Sequence, residues 1–162
     1  MTGKELLLHE TRRAYDWDEM SLLSATRPYD FGPHTEWKSV RNPAADLTTE
    51  QTRLPRAGWH RTVWEVIEHV AGCKLGYMTQ AFGAPSEAPP AVDDTLESLM
   101  ANLQASHEYL LACLESTTDE ALAQPVPVGH GETLANLFWV LAQHDVVHGS
   151  QIEVLREVPA TP

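Results

Sequence analysis

Four long stretches of this chain carry apolar residues at spacings of three and four, with Gly and Pro gathered between them. No period-two alternation is long enough to read as a strand, so the chain must build its core from helices packed on helices. The first stretch runs from about Lys4 to Ala25, with Leu7, Leu8, Tyr15, Leu22 and Leu23 on its buried side, and Pro28 and Pro33 end it. The second opens with Thr62-Val63-Trp64-Glu65, a capping box, and reaches about Phe82 before Gly83 and Pro85. Its stripe of Trp64, Ile67, Ala71, Leu75 and Met78 has helical spacing. The third, about Asp94 to Glu115, has an acidic start suited to a helix N-terminus. It carries Leu96, Leu99, Met100, Leu103, Leu110, Leu111 and Leu114, and His107 falls on the same stripe. A short helical turn at Thr118 to Ala123 and the breaker run Pro125 to Gly129 precede a last helix, capped by Thr133 and reaching about Arg156. Four helices of about 20 residues predict an all-α four-helix bundle, a single domain over 1–162. The long connection 26–61 holds one expected helical turn at Thr48 to Gln51, and a connection of that length serves as a functional segment or a packed cover.

Charge narrows the partners. The chain has 11 Lys+Arg against 23 Asp+Glu, a formal net charge of −12, and its longest basic run is Arg12-Arg13. Nucleic acid and anionic membrane surfaces would repel it at long range and are not expected as its main partners; the partner expected of the enzyme reading below is a small-molecule substrate. No segment approaches the roughly 18–20 apolar residues of a membrane span, and Met1 to Glu5 lacks a signal-peptide layout, so the expected location is cytoplasmic. Cys73 and Cys113 are too few for a disulfide framework and read as free thiols.

The last helix carries the chemistry. Its stripe of Leu134, Leu137, Phe138, Leu141, Ile152 and Leu155 is interrupted by His144, Asp145, His148 and Gln151, which at roughly 100° per residue fall in one inward sector. Burying such groups unpaired costs on the order of 1–3 kcal/mol each, and a cation is the simplest common partner. His144 and His148 stand at i and i+4, one above the other, so two imidazoles can reach one metal ion. A structural zinc site would draw on several Cys, and none is near this pair in sequence, which favours a catalytic type with three ligands and an open position. His69, at the edge of the second helix's apolar arc beside Gly72 and Gly76, is the best third ligand. Two plainer readings apply nearby: His107 as a core histidine satisfied by a backbone carbonyl, and Cys73 as a small hydrophobe. Cys73 lies one turn beyond His69 and could reach the metal by the same spacing.

His144-Asp145-x-x-His148 resembles the zinc-peptidase motif with Asp for Glu, but only 14 residues follow His148 and no downstream third ligand fits. Di-iron bundles need Glu ligands in Glu-x-x-His pairs, and neither the second nor the fourth helix supplies such a pair. The whole pattern resembles the DinB-like (DinB/YfiT-like) family of metal-binding four-helix bundles. Thr62 to His69 opening the second helix, Thr133-Leu134 and His144 to Ile152 on the fourth, Leu47 to Gln51 and the acidic start of the third carry the resemblance. It implies a three-histidine site of His69, His144 and His148 for a divalent metal, commonly zinc or nickel. It also implies a spread of activities that includes transferases of low-molecular-weight thiols such as mycothiol or bacillithiol, and a thiol-dependent isomerase. In such chemistry the metal favours the thiolate, the nucleophilic form.

The expectation is therefore a metal-dependent thiol S-transferase or related enzyme. Asp145 is the candidate general base or ligand-orienting group and Gln151 a hydrogen-bonding support behind a ligand. The alternatives are metal-dependent hydrolysis, and a non-catalytic, metal-stabilised bundle acting as an interaction protein or homodimer. Three imidazoles suit several first-row ions.

Overall fold

The computed structural model of the protein describes residues 2–15, 41–44, 46–126 and 132–161. Six α-helices follow in chain order: α1 (Gly3–Tyr15), α2 (Thr49–Arg53), α3 (Val63–Phe82), α4 (Leu96–Ser116), α5 (Asp119–Leu122) and α6 (Leu134–Glu157). The part of the first expected helix beyond Tyr15, with Leu22 and Leu23, lies outside the described residues, as does most of the breaker run before α6.

Threonine sets the start of five of these helices. The hydroxyls of Thr48, Thr62, Thr95, Thr118 and Thr133 each accept the backbone N–H three residues on, satisfying a donor that the helix itself cannot. Thr48 and Thr62 complete capping boxes with Gln51 and Glu65. Helix α4 begins a little later than its acidic lead-in suggests, because Thr95 takes the cap and Asp93 turns back to accept from Thr95. Helix α3 stops at Gly83, whose φ of 94° is open to glycine at little cost and whose N–H donates to the Thr79 carbonyl.

Helix α1 packs on α4 and α6, and α3 packs on the same two, so the long helices close into a four-membered ring. Its interior holds two apolar clusters. One gathers Val63, Trp64, Ile67, Val70, Leu99, Leu103 and Ile152, and the other Leu7, Met78, Leu110, Leu114, Phe138 and Leu141. Full burial of side chains this size contributes about 1.5–3 kcal/mol each. Lys74, His107 and Asp145 fall between the two clusters along α3, α4 and α6, and all three are buried. The connection before α3 is pinned to α6: Arg156 donates to the Pro43 carbonyl at 2.8 Å and to Asp46 at 2.8 Å. Among the described residues no helix is long and apolar enough to cross a membrane.

Candidate metal centre

The Thr62 cap fixes where α3 begins, and His69 follows two turns later on the edge that faces α6. There it meets His144 and His148. The His144 Nε2 lies 3.2 Å from His69 Nε2 and 3.1 Å from His148 Nε2. Ring centroids are 5.0 Å apart for His69–His144, 5.0 Å for His69–His148 and 4.3 Å for His144–His148. On its far side His148 meets Gln151, with Nδ1 2.7 Å from the amide oxygen, so Nδ1–H donates and the Nε2 lone pair turns inward.

A divalent ion fits this donor set. With His148 Nε2 an acceptor, the single proton His144 can carry on Nε2 serves one of its two neighbours, and the other close contact stays unmade between neutral rings. Nitrogens bound at about 2.0–2.1 Å to one ion and roughly 100° apart stand about 3.1–3.2 Å from each other, the spacing found here. Burial and the neighbouring histidines hold His144 down to about 4, and burial with the nearby Arg61 charge lowers His69. Both rings are therefore neutral, the ligand form, at pH 7.

Cys73 belongs to the same place. Its Sγ is 3.7 Å from His69 Nδ1 and 3.8 Å from Nε2, and donor atoms of His69, Cys73 and His144 all lie within 4.8 Å of one another. His69 and Cys73 border a cleft of about 310 Å³ lined by α3 residues His69, Gly72, Cys73, Gly76, Tyr77 and Gln80. A Cβ built on Gly72 or Gly76 would meet nothing within 4 Å, so the glycines leave this wall open. A larger cleft, about 770 Å³, lies beside Leu7, Leu122 and Trp139 and has no His or Cys in its lining.

Asp145 and His107 stand elsewhere. Asp145 is fully buried, 2.7 Å from the equally buried Lys74 Nζ, and does not line the cleft. Burial pushes the Asp145 carboxyl up to about 6 and the Lys74 ammonium down, while each charge holds its partner's ionised form in place. His107 stacks on Tyr15 with centroids 3.9 Å apart and planes 9° from parallel, and its Nδ1 has no hydrogen-bond partner among the described residues, where a carbonyl was expected. Lys74 Nζ sits 4.7 Å over the same Tyr15 ring.

Lys74 and Arg61 were not singled out from sequence. The signal for Lys74 was present, since it falls on the stripe of Ile67, Val70 and Met78, where a lysine needs a buried partner. Nothing in the sequence marks Arg61, whose charge acts on His69, Cys73 and His144.

The family model for the DinB superfamily matches residues 34–152, a span that includes His69, His144 and His148. No curated protein and no solved structure matches the chain.

Proposed function

The chain belongs to the DinB superfamily, and from that premise we propose that it is a divalent-metal-dependent enzyme that transfers a low-molecular-weight thiol. The observation that carries the reading is the close approach of His144 Nε2 to the Nε2 atoms of both His69 and His148, with His69 at the wall of an open cleft. His69, His144 and His148 would hold the ion, zinc or nickel being suited to imidazole donors. Such an ion stabilises a thiolate at neutral pH.

The remaining work falls to the chain's own groups. Gln151 accepts from His148 Nδ1–H and fixes that ring's tautomer and direction. Burial raises the Cys73 thiol and lowers His69, and the nearby Arg61 charge pulls both downward, so it partly offsets the cost of burying an anionic sulfur in the cleft. Gly72 and Gly76 leave room for the substrate beside His69. Of the two roles open to Asp145, orientation is the one its burial supports. Its pairing with Lys74 ties α6 to α3 one residue from His144, and thereby sets His144 against His69. Hydrolysis would need a base at the cleft, and the cleft lining contains no carboxylate among the described residues.

The test is metal content by mass spectrometry on untagged protein, followed by turnover of an electrophile with and without a small thiol. About one divalent ion per chain, lost in His144→Ala and in His69→Ala, is the expected outcome for a three-histidine site. Turnover should require both metal and thiol. Wild-type protein that takes up neither zinc nor nickel ends the reading, and metal-dependent turnover without thiol replaces it with hydrolysis.

A further inference from the structure

We propose that Cys73 is an in-chain ligand of the same ion, a fourth donor that occupies the position an incoming ligand must take. The inference rests on the metal reading above and adds to it a residue of this chain that the three-histidine pattern does not contain.

Geometry carries it. A sulfur at about 2.3 Å and a nitrogen at about 2.0 Å from one ion, roughly 120° apart, stand about 3.7 Å from each other. Cys73 Sγ lies 3.8 Å from His69 Nε2, the atom that also faces His144. The spacing of four residues on α3 places the thiol directly above His69, as the same spacing on α6 stacks His148 above His144. Cys73, His69 and His144 satisfy the mutual distance of a shared ion, and His148 adjoins them through His144.

Comparison with the other thiol removes the simpler explanation. Cys113 sits in the apolar cluster with Leu110 and Leu114, where a small hydrophobe belongs. Cys73 is half-buried, lies outside both apolar clusters, lines the cleft, and has the His69 imidazole against its sulfur. A weak S–H to nitrogen contact could use the same approach, and a serine in its place would preserve that contact while losing the sulfur ligand.

The consequence is a site filled at rest yet exchangeable. Structural zinc sites enclose their fourth ligand, whereas Cys73 lies at an open wall beside Gly72 and Gly76. With an ion bound, an external thiol would exchange with Cys73, the released Cys73 sulfur taking up the proton that the incoming thiol loses. No outside base is needed.

Cobalt(II) tests this without reference to activity, because a cobalt–thiolate bond gives a near-ultraviolet charge-transfer band that imidazole ligands do not. The full chain, free of added thiol, should show the band on loading, keep it in Cys113→Ser and lose it in Cys73→Ser while still binding cobalt. Affinity in Cys73→Ser should fall at least about tenfold, the loss typical of removing even an outer partner of a ligand. Cobalt bound by wild type with no sulfur band, or a band unchanged in Cys73→Ser, overturns the proposal and leaves the three-histidine reading in place. Failure of wild type to bind cobalt, zinc or nickel overturns both.

Discussion

Two polar clusters interrupt the apolar interior, and they obey different rules although α3 and α6 contribute to each. The cluster of His69, Cys73, His144 and His148 is half-buried and reaches an open cleft through His69 and Cys73, and its imidazole nitrogens face one another. The inner cluster takes one residue from each long helix: Tyr15, Lys74, His107 and Asp145. It is sealed, and its charges meet each other at 2.7 Å. In the function proposed above an outside cation completes the first, whereas in the second the Lys74 and Asp145 charges answer each other within the protein. Opposed lone pairs at a surface await a ligand, whereas opposed charges in a core hold helices in register.

The largest effect should come from breaking the inner cluster. Asp145→Asn leaves the Lys74 ammonium buried without a counter-charge, and removing one partner of a buried pair typically costs about 3–5 kcal/mol. The double variant Lys74→Met/Asp145→Leu should recover much of that loss, since an apolar pair of similar volume needs no compensation. Urea unfolding of the singles and the double checks this. A double variant as unstable as the sum of the singles would mean that the pair is not a closed unit.

A smaller effect separates the clusters by pH. Burial keeps the folded-state value of His107 well below its ordinary 6.5, so the unfolded chain takes up a proton there that the folded one refuses. Its stability contribution is intact above pH 6.5 and is lost as pH falls below that, by up to about 1.4 kcal/mol per pH unit. His69 and His144, also lowered, act in the same sense. Asp145, raised from 3.8 to about 6, acts oppositely, since the folded state binds its proton more readily and stability from it declines as pH rises through that window. With chelator present, His107→Phe, which keeps a ring for Tyr15, should flatten the acid side of the stability curve by about one proton's slope. Parallel curves for the two proteins would show that His107 titrates normally in the fold.

The architecture and the meeting of His69 with His144 and His148 were legible because both depend on short-range rules. Threonine caps fixed α3 and α6 to the residue, and spacings of three and four fixed which faces turn inward. The division of the polar residues into two clusters was not legible. Angular arithmetic along α6 alone places His144, Asp145, His148 and Gln151 in one sector. Which edge of that sector opens to a cleft, and which lies against α3, is decided by the partner helix. For the same reason Lys74 drew no notice in the sequence until Asp145 appeared opposite it, whereas Cys73, one turn beyond His69, was a legible neighbour of the site because that spacing lies within a single helix.

The smallest and most discriminating effect concerns Gln151, which meets His148 Nδ1 from behind. Gln151→Ala removes the acceptor for His148 Nδ1–H and frees that ring to turn, without adding or removing a charge. Metal affinity measured by competition with a chelator should fall about 10- to 100-fold, the usual cost of losing a hydrogen-bond partner to a ligating histidine. The metal-free protein should unfold within about 0.5 kcal/mol of wild type, as a change away from the core does. Gln151→Glu should restore or exceed wild-type affinity, because a carboxylate accepts the same proton more strongly and makes the imidazole a better donor. If Gln151→Ala destabilised the metal-free protein as Asp145→Asn does, the cleft and the inner pair would form one coupled network. Loss of metal affinity with stability unchanged instead means that the cleft histidines are held for the ion and contribute little to the fold.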